Sequence, residues 1–152
     1  MGTFRVEATV SNLQDRERGA TLDLLVDTGA TYTTLPREVA DALGLEAFDT
    51  RRIRLGDGRE ELWPITAIRV RIGEHECPSL ALIGQPGGPA LLGAVTLEEL
   101  SLGVDPSARR LVPTTSYLLT RLAWRSEGLP EGALQRAASS GSSMIQANRT
   151  VA

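Results

Sequence analysis

The sequence predicts a mainly β fold with one or two short helices. Apolar and polar residues alternate with a period of two in several short stretches, the pattern of strands with one buried face. Turn formers are frequent, with 15 glycines and 8 prolines among 152 residues and few aromatics. Gly56-Asp57-Gly58 separates two alternating segments, and Asp-Gly in that setting is a strong hairpin signal.

Each element follows from the local pattern. Residues 3–10 read as a strand, with Phe4, Val6, Ala8 and Val10 on one face and Arg5, Glu7 and Thr9 on the other. Residues 14–19 read as a hairpin connection, and Thr21 to Val26 as a second strand leading up to Asp27. Thr31 to Leu35, rich in threonine and apolar residues, suits a third strand. Pro36 opens a short helix at its first position and Gly44 closes it, with Val39, Ala42 and Leu43 on one face. Strands over 50–55 and 59–72 flank the 56–58 turn. A turn over 73–76 leads to a strand over 77–83, and 85–89 is a loop by its Gly-Pro composition. Ala90-Leu91-Leu92 is a short buried run ending at Gly93. Thr96 to Leu100 reads as a second short helix, capped by Thr96 with Glu98 and Glu99 in its first turn. Leu102–Asp105 and Arg109–Pro113 pair around Pro106-Ser107.

After Pro113 the character changes. Tyr117, Leu118, Arg121 and Leu122 have helical spacing, and from Gly128 the chain is small and polar. The expected organisation is a domain over 1–113, an apolar extension with helical spacing over 114–127, and a disordered tail over 128–152. Net charge is −3 without a basic block, which argues against nucleic acid as a partner. No apolar run approaches the roughly 18 residues of a membrane span, and no signal-peptide core opens the chain. The single cysteine, Cys77, excludes an internal disulfide framework and fits a reducing compartment. A cytoplasmic protein with no membrane contact is expected.

The chemistry concentrates in Leu24-Leu25-Val26-Asp27-Thr28-Gly29-Ala30-Thr31. An apolar β-type run delivers a carboxylate into a tight, glycine-bearing turn. Two such carboxylates sharing one proton can cleave a peptide without metal or covalent intermediate. The ionised one activates water and the protonated one polarises the carbonyl. Gly29 lets the backbone approach a substrate strand, Thr28 can bond across to a partner turn, and Ala30 is small enough to leave the cleft open. A turn in which Asp27 merely tightens the backbone is the structural alternative.

With the Asp27-Thr28-Gly29 turn, the glycine-tipped hairpin at 56–58 and the run Pro89-Ala90-Leu91-Leu92-Gly93-Ala94-Val95-Thr96, the chain resembles the retropepsin-like aspartic proteases. The resemblance spans about residues 3–113. It implies a closed barrel with a flap hairpin. In that family Leu91-Leu92-Gly93 would thread under the active-site turn and lead into a helix, and Gly56, Asp57 and Gly58 would tip the flap. It also implies an aspartic endopeptidase acting on a protein or peptide substrate, without cofactor or metal. No second Asp-Thr/Ser-Gly occurs, so a homodimer would supply the second Asp27 at its two-fold axis. Retroviral members end soon after the helix, whereas here another strand and a long segment follow, closer to cellular and bacterial members.

Other features carry less. Trp63 either covers the cleft or packs in the core. Arg51, Arg52, Arg54 and Arg59 either favour acidic substrates or form a solvated strand face. Glu74-His75-Glu76-Cys77 reads as an exposed loop with no second cluster to complete a metal site. His75 is the only histidine, and no Gly-x-Ser-x-Gly element is present, so a serine triad is unattractive. Gly84 to Gly88 lacks the Lys-Ser/Thr of a phosphate loop. The rival to the enzyme is a catalytically weak retropepsin-fold dimerisation or peptide-binding module. More remote is an unrelated β-barrel protein carrying the motif by accident.

Overall fold

A computed structural model describes residues 3–116, so the expected tail over 128–152 and all but the first residues of the 114–127 extension lie outside the described residues. The expected mainly β architecture is present. Nine strands run β1 (Arg5–Asn12), β2 (Gly19–Val26), β3 (Thr33–Leu35), β4 (Asp49–Arg54), β5 (Glu60–Ile72), β6 (His75–Ile83), β7 (Leu91–Leu92), β8 (Leu102–Asp105) and β9 (Arg110–Pro113) among the described residues. Two short helices join them, α1 (Arg37–Ala42) and α2 (Ala94–Glu99).

The main sheet is ordered β1-β2-β7-β3-β6-β5-β4, and a further β1–β5 pairing closes it into a ring. Closure depends on the length of β5. Its first half pairs with β4 through Glu60–Ile65, and its second half offers the same edge to β1, with Val70 opposite Val10. The β4–β5 hairpin therefore projects from the ring as a continuation of one of its own strands. β8 and β9 form a separate two-stranded sheet.

Alternation in β1 and β2 turns Ala8, Val10, Leu24 and Val26 inward, where they meet Leu35, Ile68, Val70 and Leu92 in one hydrophobic core. Most of these are entirely buried. At roughly 1.5–3 kcal/mol per buried aliphatic side chain, this interior is the main source of stability.

Several local expectations are corrected. Pro36 is the residue preceding α1 rather than its first residue; its extended ψ of 149° leaves Arg37 to begin the helix. The inward face of α1 is Ala40 and Leu43 with Val39 at its border, while Ala42 is exposed, because a helix of fewer than two turns gives periodicity little to choose a face by. The turn after β5 is only Gly73-Glu74, with Gly73 at φ +57°, so His75 and Glu76 belong to β6 and are not loop residues.

The largest correction concerns α2. It begins at Ala94 with Gly93 as its N-cap residue, and Thr96 lies inside it, buried. A helix start leaves amide groups without intrahelical partners. Here the loop after Asp27 supplies the acceptors. The Ala94 amide donates to the Ala30 carbonyl at 2.8 Å, and the Val95 amide to the Thr31 carbonyl at 3.0 Å. No side-chain cap is needed, and the Thr96 hydroxyl is free for other work.

Candidate active site

β2 carries Asp27 out of the core and into the turn. Parallel pairing of Leu25 with Leu91 and Val26 with Leu92 runs β7 directly alongside. The ladder continues one step further, as the Asp27 amide donates to the Leu92 carbonyl at 3.1 Å. The position of Asp27 is thus set by the backbone of the second motif. Within the turn, the Gly29 amide donates to Asp27 Oδ1 at 2.9 Å, and the Ala30 amide to the Asp27 carbonyl at 3.2 Å. A charge-stabilising donor aimed at the carboxylate orients it. A β-carbon on Gly29 would stand 3.2 Å from that same Oδ1, so glycine keeps the approach to the carboxylate open.

Beneath the turn, buried Gly93 packs against the chain that leaves it. A β-carbon there would come within 2.3 Å of the Tyr32 carbonyl carbon and 2.6 Å of the Thr33 amide nitrogen. Its φ of −89° is available to any residue, so clearance between two backbones, not dihedral freedom, demands glycine. The Gly93 amide donates to Thr33 Oγ1 at 3.2 Å. Thr33 Oγ1 lies 2.7 Å from Thr96 Oγ1, which lies 2.8 Å from Ser79 Oγ. All three hydroxyl-bearing residues are buried. This chain pins β3, α2 and β6 together under the aspartate turn. Nothing local marks it in the sequence, where Thr96 ahead of Glu98 and Glu99 reads as a cap.

Asp27, Gly29 and Ala30 open onto a cleft of about 670 Å³, whose other wall comes from β4 and the hairpin tip. Of the residues singled out in the sequence, Asp27, Gly29, Ala30, Gly56 and Leu91 line it. Leu92 and Gly93 lie buried below it. Thr28 is exposed beside it, facing away from the core. Asp57 and Gly58 stand beyond its rim at the tip.

The tip is a three-residue loop, with the Gly58 amide donating to the Leu55 carbonyl at 2.9 Å and Gly58 itself at φ +87°. A residue in the left-handed region after the turn is the usual form of such hairpins, and it favours glycine. Asp57 accepts hydrogen bonds from the Arg59 amide and guanidinium, which hold its carboxyl below the usual carboxylate range. Arg52 and Arg54, each 73% exposed, share the Glu60 carboxylate, and Arg51 pairs with Asp49. The hairpin arginines are thus paired with nearby carboxylates, and Arg52 and Arg54 also line the cleft.

No group of three or more His, Cys, Asp or Glu side chains among the described residues is arranged to hold a metal ion. The Cys77 thiol is pushed up to about 11, chiefly by burial, and is far from thiolate chemistry at neutral pH. No helix among the described residues is long and apolar enough to cross a membrane.

A ring of short strands, an aspartate turn seated on a Leu-Leu-Gly strand, and a hairpin standing over the cleft define a retropepsin-like aspartic protease fold. The chain belongs to the family described as "gag-polyprotein putative aspartyl protease", whose model matches residues 17–99, more than half of its length. Two solved structures agree in fold. The EIAV protease complexed with the inhibitor HBY-793 is similar with a TM-score of 0.51 at 17% identity, over 65% of this chain and 88% of that one. The retroviral protease-like domain of Ddi1 from Leishmania major is similar with a TM-score of 0.50 at 14% identity, over 74% and 89%. A retropepsin-like aspartic protease from Rickettsia conorii is 25% identical over 68% of this chain and 77% of its own, with a TM-score of 0.48. No curated protein matches the chain.

Proposed function

We propose that this chain is a homodimeric aspartic endopeptidase in which Asp27 of each subunit supplies one of two catalytic carboxylates. The observation that carries the reading is the seating of Asp27. Its amide is tied to Leu92, its carboxylate accepts from Gly29, and it opens onto a cleft large enough for a peptide. The sequence holds one such turn, and the chemistry needs two.

Across a two-fold axis, the paired carboxylates share one proton, since like charges at short range do not both ionise. This is the arrangement aspartic proteases use. The ionised Asp27 takes a proton from water as the water attacks the scissile carbonyl, and the protonated one hydrogen-bonds the carbonyl oxygen. The Asp27 that took the proton from water gives it to the leaving amine nitrogen as the tetrahedral carbon collapses and the C–N bond breaks. Exposed Thr28 bonds to its counterpart turn and keeps the carboxylates coplanar. Gly29 binds substrate backbone, Ala30 keeps the floor low, and the hairpin tipped by Gly56, Asp57 and Gly58 closes over substrate and excludes water. Residues 1–113 form the catalytic domain, with a cytoplasmic setting that suits a chain of one cysteine.

The test is a peptide-library cleavage profile of wild type against Asp27→Asn, with folding followed by circular dichroism and subunit mass by sedimentation. The reading expects cleavage by wild type that declines on dilution below the dimer dissociation constant, and none by the folded variant. Equal cleavage by both would overturn it. A persistent dimer that cleaves nothing would instead favour a peptide-binding or dimerisation module.

A further inference from the structure

The loop between β6 and β7 brings Pro89 to the wall of the cleft. Its two ends are fastened to the sheet. The Gly84 amide donates to the Leu35 carbonyl at 2.8 Å, and the Ala90 carbonyl accepts from the Leu25 amide at 2.9 Å. Between these points packing holds very little. Gln85, Pro86, Gly87 and Pro89 are exposed, and a β-carbon on Gly87 would meet nothing within 4 Å. Pro86 and Pro89 have no amide hydrogen to donate. One turn bond closes inside the loop, from the Gly88 amide to the Gln85 carbonyl at 3.1 Å.

The remaining anchor comes from outside the cleft. Glu38, exposed on α1 and absent from the cleft lining, accepts the Gly87 amide on both carboxylate oxygens, Oε1 at 2.9 Å and Oε2 at 3.1 Å. The two residues are 49 positions apart. A hydrogen bond to an ionised acceptor is about twice as strong as a neutral one. No ion pair among the described residues engages Glu38, so its carboxylate is left to the loop. Gly87 itself stands at φ +68°, a conformation that glycine adopts without strain.

We infer that Glu38 is a positioning residue for the cleft: by clamping Gly87 it holds the 85–89 loop, and with it Pro89, where a bound peptide meets the wall. The inference rests on the endopeptidase reading and adds to it a residue that touches neither substrate nor Asp27. Contacts at this wall lie away from the reacting atoms, so they serve bound substrate and transition state alike. A loop that the ligand must first order weakens binding by the cost of that ordering. Loosening stops at Ala90, whose bond to Leu25 does not involve Glu38, and the seat of Asp27 on Leu92 stays as it is. Loss of the clamp therefore raises KM and leaves kcat nearly unchanged.

The experiment uses the full chain and peptides of the cleavage library. Glu38→Ala is expected to raise KM about three- to tenfold with kcat within about twofold of wild type. Glu38→Gln keeps a carbonyl acceptor at the same reach and is expected to recover most of the lost affinity. Glu38→Met, equally long but without an oxygen, is expected to recover none. Hydrogen exchange at the Gly87 amide should quicken in the alanine and methionine variants and not in the glutamine variant. Should Glu38→Ala fail to fold, Glu38→Met against Glu38→Gln makes the same comparison. Binding of the same peptides to Asp27→Asn, with and without the Glu38 change, reads the wall apart from catalysis. Cleavage with KM unmoved by Glu38→Ala, or with the loss confined to kcat, overturns this inference and leaves the endopeptidase reading intact. A glutamine variant as weak as the methionine one does the same. Glu38-dependent binding without any cleavage by wild type overturns the endopeptidase reading alone. Neither cleavage nor binding overturns both.

Discussion

Thr33 and Thr96, separated by 63 positions, join their hydroxyls in a buried hydrogen bond of 2.7 Å. The bond connects the strand that leaves the aspartate turn to the helix that follows the second motif. Because Thr33 also accepts from the Gly93 amide, and Thr96 also bonds Ser79, each hydroxyl serves two partners.

Thr96→Val should therefore be costly although it preserves shape. It leaves buried Thr33 and Ser79 hydroxyls short of a partner, a loss of about 1–3 kcal/mol. Urea unfolding of wild type, Thr96→Val, Thr33→Val and the double variant checks this. The double variant should lose less than the sum of the two single losses, because the shared bond can be broken only once.

Gly93→Ala and Gly58→Ala should separate two reasons for glycine. At Gly93 the added carbon meets the Tyr32–Thr33 peptide at 2.3 Å, and rigid backbone has nowhere to go. A loss at the upper end of the roughly 1–3 kcal/mol seen for overpacking, or beyond it, is expected, together with loss of cleavage.

At Gly58, by contrast, nothing lies within 4 Å, and the cost is only the strain of φ +87°. That is about 1–2 kcal/mol, and Gly58→Asn should lose less, since asparagine tolerates the left-handed region. Thermal and urea unfolding of the three variants ranks them. Equal losses for Gly93→Ala and Gly58→Ala would refute the close-contact explanation.

Cys77 gives a pH dependence. Burial raises its folded-state value to about 11 from the ordinary 9.0. The unfolded chain thus loses this proton first as pH rises. The folded state then holds more protons than the unfolded state, and stability declines. The contribution is fully present below about pH 9 and is lost as pH climbs to about 11. Unfolding midpoints of wild type and Cys77→Ala should run parallel up to pH 9 and converge or cross above it. The same protonated thiol should react slowly with iodoacetamide at pH 8 until the protein is unfolded.

Much of the fold was legible because its signals are local. Period-two alternation located β1, β2 and β5 to within a few residues, and Gly56-Asp57-Gly58 announced the hairpin by its turn chemistry. The errors share one cause. Thr96 looked like a cap because Ser and Thr ahead of an acidic turn usually are. The carbonyls of Ala30 and Thr31, more than sixty residues earlier in the chain, had already met that need. Periodicity points Ala42 inward where the structure buries Ala40, because a helix of 6 residues gives too few positions for it to choose a face. His75 and Glu76 read as loop because pairing with Arg71 and Ile72 across a two-residue turn leaves little trace in polar side chains.

The sequence by itself determined an aspartate in a glycine turn after an apolar strand, a hairpin further on, a Leu-Leu-Gly run, and the presence of only one such turn per chain. Each is a property of adjacent residues, where pleat and turn chemistry act directly. Only the tertiary structure decided what these pieces do to one another. Insertion of β7 between β2 and β3 lays Leu92 beside Asp27 and brings Gly93 against the Tyr32 carbonyl, α2 then ties Thr96 to Thr33, and β5 brings Trp63 to the cleft wall. These contacts join distant segments, and they exist because burying the inward faces of the strands leaves the ring as the arrangement that also pairs their edges.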